Sequence, residues 1–370
     1  MKIFLLVPSL EHGGTERQVA LLARILHQRA YDVTVLMLRA YEGQLVAELR
    51  EAGIPVRSLE GNLGFLSYFL SLRRLVQIEK PAVLYSFLPH ANLVAATVKY
   101  FRPECRLIWG VRSADMPLAG YGLKTLFAYW LERKLSMLPD RVVVNSQSGA
   151  EGCKRKGFEP ARITVVENGF DTGLFQPDAA GRERIRKAMN IADGDVAIGM
   201  VARIDPVKNH EMFLRAAAAL SESSPTARFV CIGGGSAHLK TRLVELTHTL
   251  GIASRVTWTG DRNDIPAVLN ALDIVTLCSN SEGFPNAIGE AMACGRACVS
   301  TDVGDVQQLL GNQGMVVGVR DVPALTRAWR QLMDPGFRQA MGTAARERIV
   351  ESYSLDRLFE RTLTAFGLPA

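Results

Sequence analysis

The run from Leu277 to Gly304, LCSNSEGFPNAIGEAMACGRACVSTDVG, decides how the chain is read. It continues a short apolar strand, Asp273 to Cys278 (DIVTLC), and breaks at the polar Ser279-Asn280-Ser281. Pro285 fits the first turn of a helix, where its missing N–H costs nothing, and Asn286 to Ala293 (NAIGEAMA) is the helix it opens. Ala297 to Ser300 then reads as another buried strand. Strand, helix, strand is one beat of a rhythm that argues a parallel sheet covered on both faces.

The rhythm extends in both directions. Toward the amino terminus the strand candidates are Ile3–Pro8, Val33–Leu38, Pro55–Leu59, Ala82–Ser86, Arg106–Val111 and Arg141–Asn145, with helical patterns between them, as at Thr15–Gln28, Leu66–Ile78, Ala91–Tyr100 and Leu123–Met137. It restarts at Val196–Val201 and continues through Arg228–Ile232 and Arg255–Thr259 to the quoted stretch. Between the two series lies VVENGFD (165–171), whose Asn168-Gly169 is a turn signal. The expected architecture is α/β, with two facing doubly wound, Rossmann-like domains, 1–168 and 169–350, and a cleft between them. In such sheets ligands bind beyond the carboxyl ends of the strands, and that rule sorts the candidate residues.

Glu282 and Glu290 sit one before the short helix and one inside it. The helix start carries unpaired N–H groups and partial positive charge, which suit a phosphate or diphosphate. Backbone around Gly283, Phe284, Pro285 and Asn286 would hold the anion, with Pro285 itself donating nothing, while the carboxylates accept from sugar hydroxyls. By spacing alone, solvated glutamates explain the pattern equally well. Arg203 and Lys208 follow the first strand of the second series; a forked guanidinium and a compact ammonium together could neutralise a leaving nucleoside diphosphate, or be two surface cations. The glycines Gly233-Gly234-Gly235 lack the Rossmann spacing and read as a loop near a nucleotide base, not an NAD site. In the first series, Gly13-Gly14 follows the first strand, where a tight turn and a close ligand approach are both served. His90 follows the fourth strand, a position that favours a site role over a structural one. Arg112 and Asp115 are weaker candidates for acceptor contacts and could equally pair with each other.

Glu282-Gly283-Phe284-Pro285-Asn286…Glu290 closely resembles the E-x7-E signature of family 4 glycosyltransferases, retaining, nucleotide-sugar-dependent enzymes of GT-B fold. The resemblance implies that Glu282 contacts the transferred sugar and Glu290 the ribose. HGGTERQ resembles the family's acceptor-side glycine loop, which implies that Gly14 lies close to the donor diphosphate, and similar enzymes carry a histidine at the position of His90 that contacts the sugar. Arg203 and Lys208 match the pattern G-R-L-x-x-x-K-[GN], with Ala202 for the glycine and Ile204 for the leucine, and the resemblance gives them the leaving-group role. The family often has Pro where Ala297 stands and an acid near Gln307; these departures bear on loop shape. The resemblance also implies that the last helix, within 351–370, returns to the first domain.

The implied reaction moves a hexose or N-acetylhexosamine from a nucleoside diphosphate-sugar, UDP favoured over GDP, to a saccharide acceptor, lipid-linked, in bacterial cell-surface polysaccharide or glycan assembly. The acceptor hydroxyl would attack from the leaving-group face with the donor phosphate as base. No Asp-x-Asp pair stands at a strand end, so no metal and no cofactor is expected. A nucleotide-sugar epimerase of similar fold and a non-catalytic nucleotide-binding module are the rivals.

Composition narrows the setting. Of 370 residues 48% are hydrophobic, enough to bury two cores, and no apolar run approaches the roughly 18 residues of a spanning helix. MKIFLLVPSL turns polar at Glu11 and reads as a first strand, not a signal peptide. Six cysteines without a CxxC pair read as reduced core residues, so the chain is expected to be cytoplasmic. Net charge is +6, and the excess is at the front, with 22 basic against 15 acidic residues through Phe170 and 21 against 22 after it. That asymmetry can attract an anionic surface, or be a solvated face. Phe65–Ile78 and Leu123–Leu138 mix aromatics, leucines and basic residues as interfacial helices and core-facing helices both do, so the expectation is peripheral contact with an anionic membrane. No aromatic and basic platform recurs, and no nucleic-acid partner is expected.

Overall fold

The computed structural model describes residues 1–11, 13–61, 65–112 and 122–368. The chain forms two units, Met1–Gly169 with Leu355–Ala370, and Phe170–Ser354.

The first unit holds seven parallel strands, β1 (Lys2–Val7), β2 (Asp32–Met37), β3 (Val56–Ser58), β4 (Val83–Phe87), β5 (Arg106–Val111), β6 (Arg141–Val144) and β7 (Ile163–Val165), in the order β3-β2-β1-β4-β5-β6-β7. Leu5 of β1 sits between Val35 and Tyr85 in register. Alternate residues feed alternate cores: Ile3, Leu5, Val7, Val35 and Phe87 pack on one face, and Phe4, Leu6, Leu36, Leu84 and Trp109 on the other. Burial on both faces is why these strands read as continuous apolar runs. The second unit repeats the plan with β8 (Val196–Val201), β9 (Ala227–Ile232), β10 (Val256–Gly260), β11 (Ile274–Leu277), β12 (Ala297–Thr301) and β13 (Met315–Val317), in the order β10-β9-β8-β11-β12-β13. Strand order reverses between β1 and β4 in one unit and between β8 and β11 in the other. All six cysteines are buried thiols.

Sequence and structure differ at several points. β7 and β13, each three residues long, were not among the expected strands; both lie at sheet edges. The helix expected over Ala91–Tyr100 begins earlier and breaks at Thr97 into Pro89–Ala96 and Val98–Phe101, and the Thr97 hydroxyl donates to the Val94 carbonyl at 2.7 Å. The boundary expected at 350 falls inside an unbroken helix, Pro335–Tyr353, and the second unit runs to Ser354. Leu355–Ala365 is then a helix of the first unit, where Leu358, Phe359, Leu363 and the following Phe366 enter the core beside β1. Consecutive residues mark the crossing. Gln18 clamps Gly169 from both sides, donating to its carbonyl at 3.0 Å and accepting from its N–H at 3.2 Å, whereas the Phe170 N–H donates to the Tyr353 carbonyl at 2.8 Å.

One polar network is sealed in the first unit. The Ser86 hydroxyl donates to Asn92 Oδ1 at 2.7 Å, and Asn92 Nδ2 donates to Glu132 Oε1 at 2.6 Å; Glu132, on the helix Leu123–Lys134, is only 2% exposed. Burial pushes the Glu132 carboxyl from 4.5 up to about 7, against the lowering influence of Asn92 and Lys156. A buried acid with a raised pKa keeps a proton that the unfolded chain releases, so its effect on stability worsens as pH rises from about 4.5 to 7 and is fully felt above. Glu132→Gln is therefore expected to stabilise the protein by about 1–3 kcal/mol at pH 8 and to leave it nearly unchanged below pH 4.5. Urea unfolding at both pH values checks this, and a variant equally destabilised at both would contradict it.

Candidate active site

The reversal of strand order between β8 and β11 sends their outgoing loops apart, and the crevice between such loops is where open α/β sheets bind ligands. The loop after β8 carries Arg203 and Lys208, and the loop after β11 carries Glu282. The two loops are stitched together: the Asn280 N–H donates to the Val207 carbonyl at 2.7 Å, and Asn280 Nδ2 to that of Pro206 at 3.3 Å. Asp205 caps the tight turn Pro206–Lys208, accepting from the Val207 N–H at 2.9 Å, and Asn209, at φ 52°, turns the chain into the helix His210–Ser221.

This geometry brings Lys208 Nζ onto Glu282 Oε1 in an ion pair. The same oxygen accepts from the Ser279 hydroxyl at 2.6 Å, and the Ser279 carbonyl accepts from the Thr301 hydroxyl at 2.7 Å. Ser279 and Thr301 are fully buried, so the carboxylate is aimed from β12 through Ser279. Sequence reasoning paired Lys208 with Arg203. In the structure Arg203 instead meets Asp205 at 3.1 Å, with its side chain 73% exposed. Each cation thus has its own carboxylate, and an arriving diphosphate would compete for both.

The helix Asn286–Ala293 departs from expectation at its start. The Asn286 N–H, proposed as an anion donor, already donates to the Phe284 carbonyl at 3.0 Å, and the N–H groups of Ile288 and Gly289 both go to Pro285. Phe284 anchors the loop through its side chain: the ring is 5% exposed, with centroids 6.2 Å from Phe170 and 6.0 Å from Tyr353. Glu290 lies on this helix and is 8% exposed. A Cβ on Gly289 would come within 2.0 Å of the Phe170 ring, so the helix lies flush against it.

Two glycine sites show their physical reason only in the structure. Gly304, at φ +53°, lies under the Glu282 loop, where an added Cβ would stand 2.5 Å from the carbonyl oxygens of both Glu282 and Gly283. Gly304→Ala is expected to shift that loop and lower turnover about a hundredfold, the cost of roughly 1 Å of misplacement. Its far-UV circular dichroism should match the parent; unchanged turnover would refute the clamp. The triplet Gly233-Gly234-Gly235, expected as a loop near a nucleotide base, is held by the chain's own groups. Gly234 spends its N–H on Asp261 Oδ1 at 2.7 Å and its carbonyl on the Ile204 N–H at 2.6 Å. Cβ atoms on Gly233 and Gly235 would collide with the carbonyls of Ala202 and Ile204, at 2.3 and 2.4 Å. The triplet is a bed for the backbone around Arg203.

In the first unit, the matching reversal between β1 and β4 places Gly13 and His90 after those strands. Gly13 caps the helix Gly14–Gln28, and a Cβ there would stand 2.1 Å from the Glu16 carboxylate, a neighbour that sequence reasoning passed over. Burial raises the Glu16 pKa, helped by Glu11. His90 is exposed at the start of Pro89–Ala96, and partial burial and Arg39 favour its neutral form. Arg112, the candidate acceptor contact, donates to Asn168 Oδ1 at 2.9 Å and to the Tyr85 hydroxyl at 3.3 Å, and lies over the Phe87 ring. Asp115 lies outside the described residues.

Comparison with known proteins agrees with this fold. The family described as "Glycosyl transferases group 1" matches residues 195–335, and "Glycosyl transferase 4-like domain" matches residues 13–169. The D-inositol 3-phosphate glycosyltransferase of Salinispora tropica is 32% identical over 246 residues, 62% of this chain and 51% of its own. A UDP-Gal:alpha-D-GlcNAc-diphosphoundecaprenol alpha-1,3-galactosyltransferase of Escherichia coli is 27% identical over 231 residues, 61% of this chain and 59% of its own. The chain thus spans about half the length of the curated relatives it matches. Anabaena HepE, solved in complex with UDP and glucose, superposes with a TM-score of 0.85 over 99% of both chains at 21% identity. The two parallel-sheet units have the GT-B fold, and the chain belongs to the group 1, 4-like glycosyltransferases.

Proposed function

We propose that the chain is a retaining glycosyltransferase that moves a hexose or N-acetylhexosamine from a UDP-sugar to a lipid-linked saccharide acceptor in cell-surface glycan assembly. The observation that carries this reading is the Lys208–Glu282 pair, aimed by Ser279 at the switch point between β8 and β11. As the bond from the sugar to the diphosphate breaks, Lys208 and Arg203 stabilise the charge that develops on the leaving group. Glu282, released from Lys208, accepts from a sugar hydroxyl, and Glu290 accepts from the ribose. Gly13 and Gly14 give the diphosphate close approach, and His90 orients the hexose. The acceptor hydroxyl attacks from the leaving-group face and passes its proton to a diphosphate oxygen. Supporting the donor class, HepE is solved with UDP and glucose; supporting the acceptor class, the E. coli relative acts from UDP-Gal on a diphosphoundecaprenol-linked sugar.

The test is incubation with a panel of UDP- and GDP-sugars, with and without GlcNAc-diphosphoundecaprenol, in the presence of a chelator. UDP release that requires the acceptor, with the anomeric configuration retained, is the expected outcome. Free isomerised sugar formed without acceptor would establish an epimerase instead, and loss of activity on chelation would end the metal-free part of the reading.

The acceptor's lipid gives the basic first unit a use. Among the described residues no helix is long and apolar enough to cross a membrane. Leu66, Leu70 and Ile78 on Phe65–Glu79, Tyr100, and Phe127 and Trp130 on Leu123–Lys134 are large apolar side chains left exposed. Arg73, Arg74, Arg133 and Lys134 are exposed on the same two longer helices. Apolar anchors mixed with cations suit an anionic lipid interface. Replacing Phe127 and Trp130 together by serine is expected to weaken co-sedimentation with phosphatidylglycerol vesicles about tenfold or more, from lost apolar burial. Unchanged sedimentation would sink the docking face.

A further inference from the structure

A cavity of about 830 Å³ in the second unit lies away from the switch point. Its walls include Asp273, which precedes β11, and Gly295 to Ala297 at the start of β12, so it opens at the amino ends of the strands, opposite the end at which the Lys208–Glu282 pair sits. Four guanidinium groups line it: Arg182, Arg296, Arg338 and Arg346. The acids on its walls are Asp273, Glu347 and Glu351. Asp273 is already shared between Arg182 at 2.7 Å and Arg186 at 3.0 Å.

The other three arginines make no ion pair among the described residues. They cap carbonyls instead. Arg296 donates from Nε to Cys294 and from Nη1 to Leu272; Arg338 donates from Nη1 to Leu332 and Met333; Arg346 donates to Phe175, Thr172 and Ala293. Carbonyl capping holds the guanidiniums in place without neutralising them. Nη2 of Arg296 and Nη2 of Arg338 have no partner among the described residues. Burial, and then Arg182, hold the Arg296 guanidinium below its ordinary pKa, with Asp273 acting against them. Fixed guanidinium forks that carry no carboxylate suit phosphate oxygens.

We propose that this cavity binds a small phosphorylated anion, held by Arg296 and Arg338 with Arg182 and Arg346 beside them. The site is distinct from the one that would hold the donor diphosphate and stands whether or not that reading does. The two are separated by working in the Arg203→Ala, Lys208→Ala background, which removes the cations at the switch point. Pyrophosphate is the probe, and the melting temperature is followed at constant ionic strength set with chloride, since a ligand that binds only the native state raises it. Stabilisation by pyrophosphate is expected to persist in that background, and its half-saturating concentration to rise at least tenfold on adding Arg338→Gln, a change that can keep the carbonyl contacts. Arg296→Gln should act in the same direction; if it fails to fold, the Arg338 variant decides. No stabilisation beyond that of chloride in the background, or an unaltered half-saturation in Arg338→Gln, would overturn the proposal.

Discussion

Lys208→Ala is expected to lower turnover about 10²- to 10³-fold, the usual cost of removing one preorganised group that stabilises transition-state charge. Lys208 serves the proposed reaction twice. Its ammonium is the cation beside the leaving diphosphate, and until the donor arrives it also holds Glu282, whose side chain is 14% exposed and is kept aimed by Ser279 once Lys208 turns to the diphosphate. The charge it answers grows as the bond breaks, so kcat should fall much more than the donor KM rises. Lys208→Arg should not rescue, because a planar fork cannot occupy the place of a point charge against a single carboxylate oxygen. Arg203→Ala should cost less, about tenfold, since its side chain is 73% exposed and its field is screened by water. The measurement is UDP release at saturating donor, with circular dichroism to confirm folding. Wild-type turnover in Lys208→Ala would remove the leaving-group role.

The two-sheet fold was readable because parallel strands buried on both faces write themselves as unbroken apolar runs: Val196–Val201 and Arg106–Val111 have the same limits in sequence and structure. Where that signal is short it fails. Ile163–Val165 and Met315–Val317 are edge strands of three mostly half-buried residues, too brief for any periodicity to register. The candidate site was legible as separate residue types on separate loops. Its wiring was not, because wiring depends on which strands become neighbours. Lys208 and Glu282 are 74 positions apart and meet only because β8 lies beside β11. Ser279 and Thr301 carry no motif that marks them as supports, and their role shows only once β11 and β12 are paired. The glycines carry a further reason that the sequence hides. In sequence a glycine triplet suggests ligand approach, whereas here the close approach at Gly233 and Gly235 is to the chain's own backbone at Ala202 and Ile204.

Asp273→Ala is expected to destabilise the second unit by about 3–5 kcal/mol, the range for removing one partner from a buried ionic group. Its carboxylate receives Arg182 at 2.7 Å, Arg186 at 3.0 Å and the Ala197 N–H at 2.8 Å, and so ties the helix Ala179–Ala188 to the base of β8. Arg186 is 4% exposed, and without the carboxylate its charge would be left in the interior with only carbonyl partners at Ala192, Asp195 and Ala271. Asp273→Asn should cost less, because it keeps an acceptor for Ala197 while losing the charge. Acid gives an independent check. Burial alone would raise the Asp273 carboxyl, but the Ala197 N–H and the two arginines outweigh it and hold the group below 3.8. The native state therefore binds fewer protons than the unfolded chain as pH drops past that value, and the stability contributed by Asp273 is present above about pH 4 and lost as pH falls through the native pKa. Urea unfolding should show a gap between wild type and Asp273→Ala that is constant from pH 7 to 5 and narrows below pH 4. A gap that holds its full width in acid, or one under about 1 kcal/mol at pH 7, would mean that the arginines are satisfied by carbonyls alone.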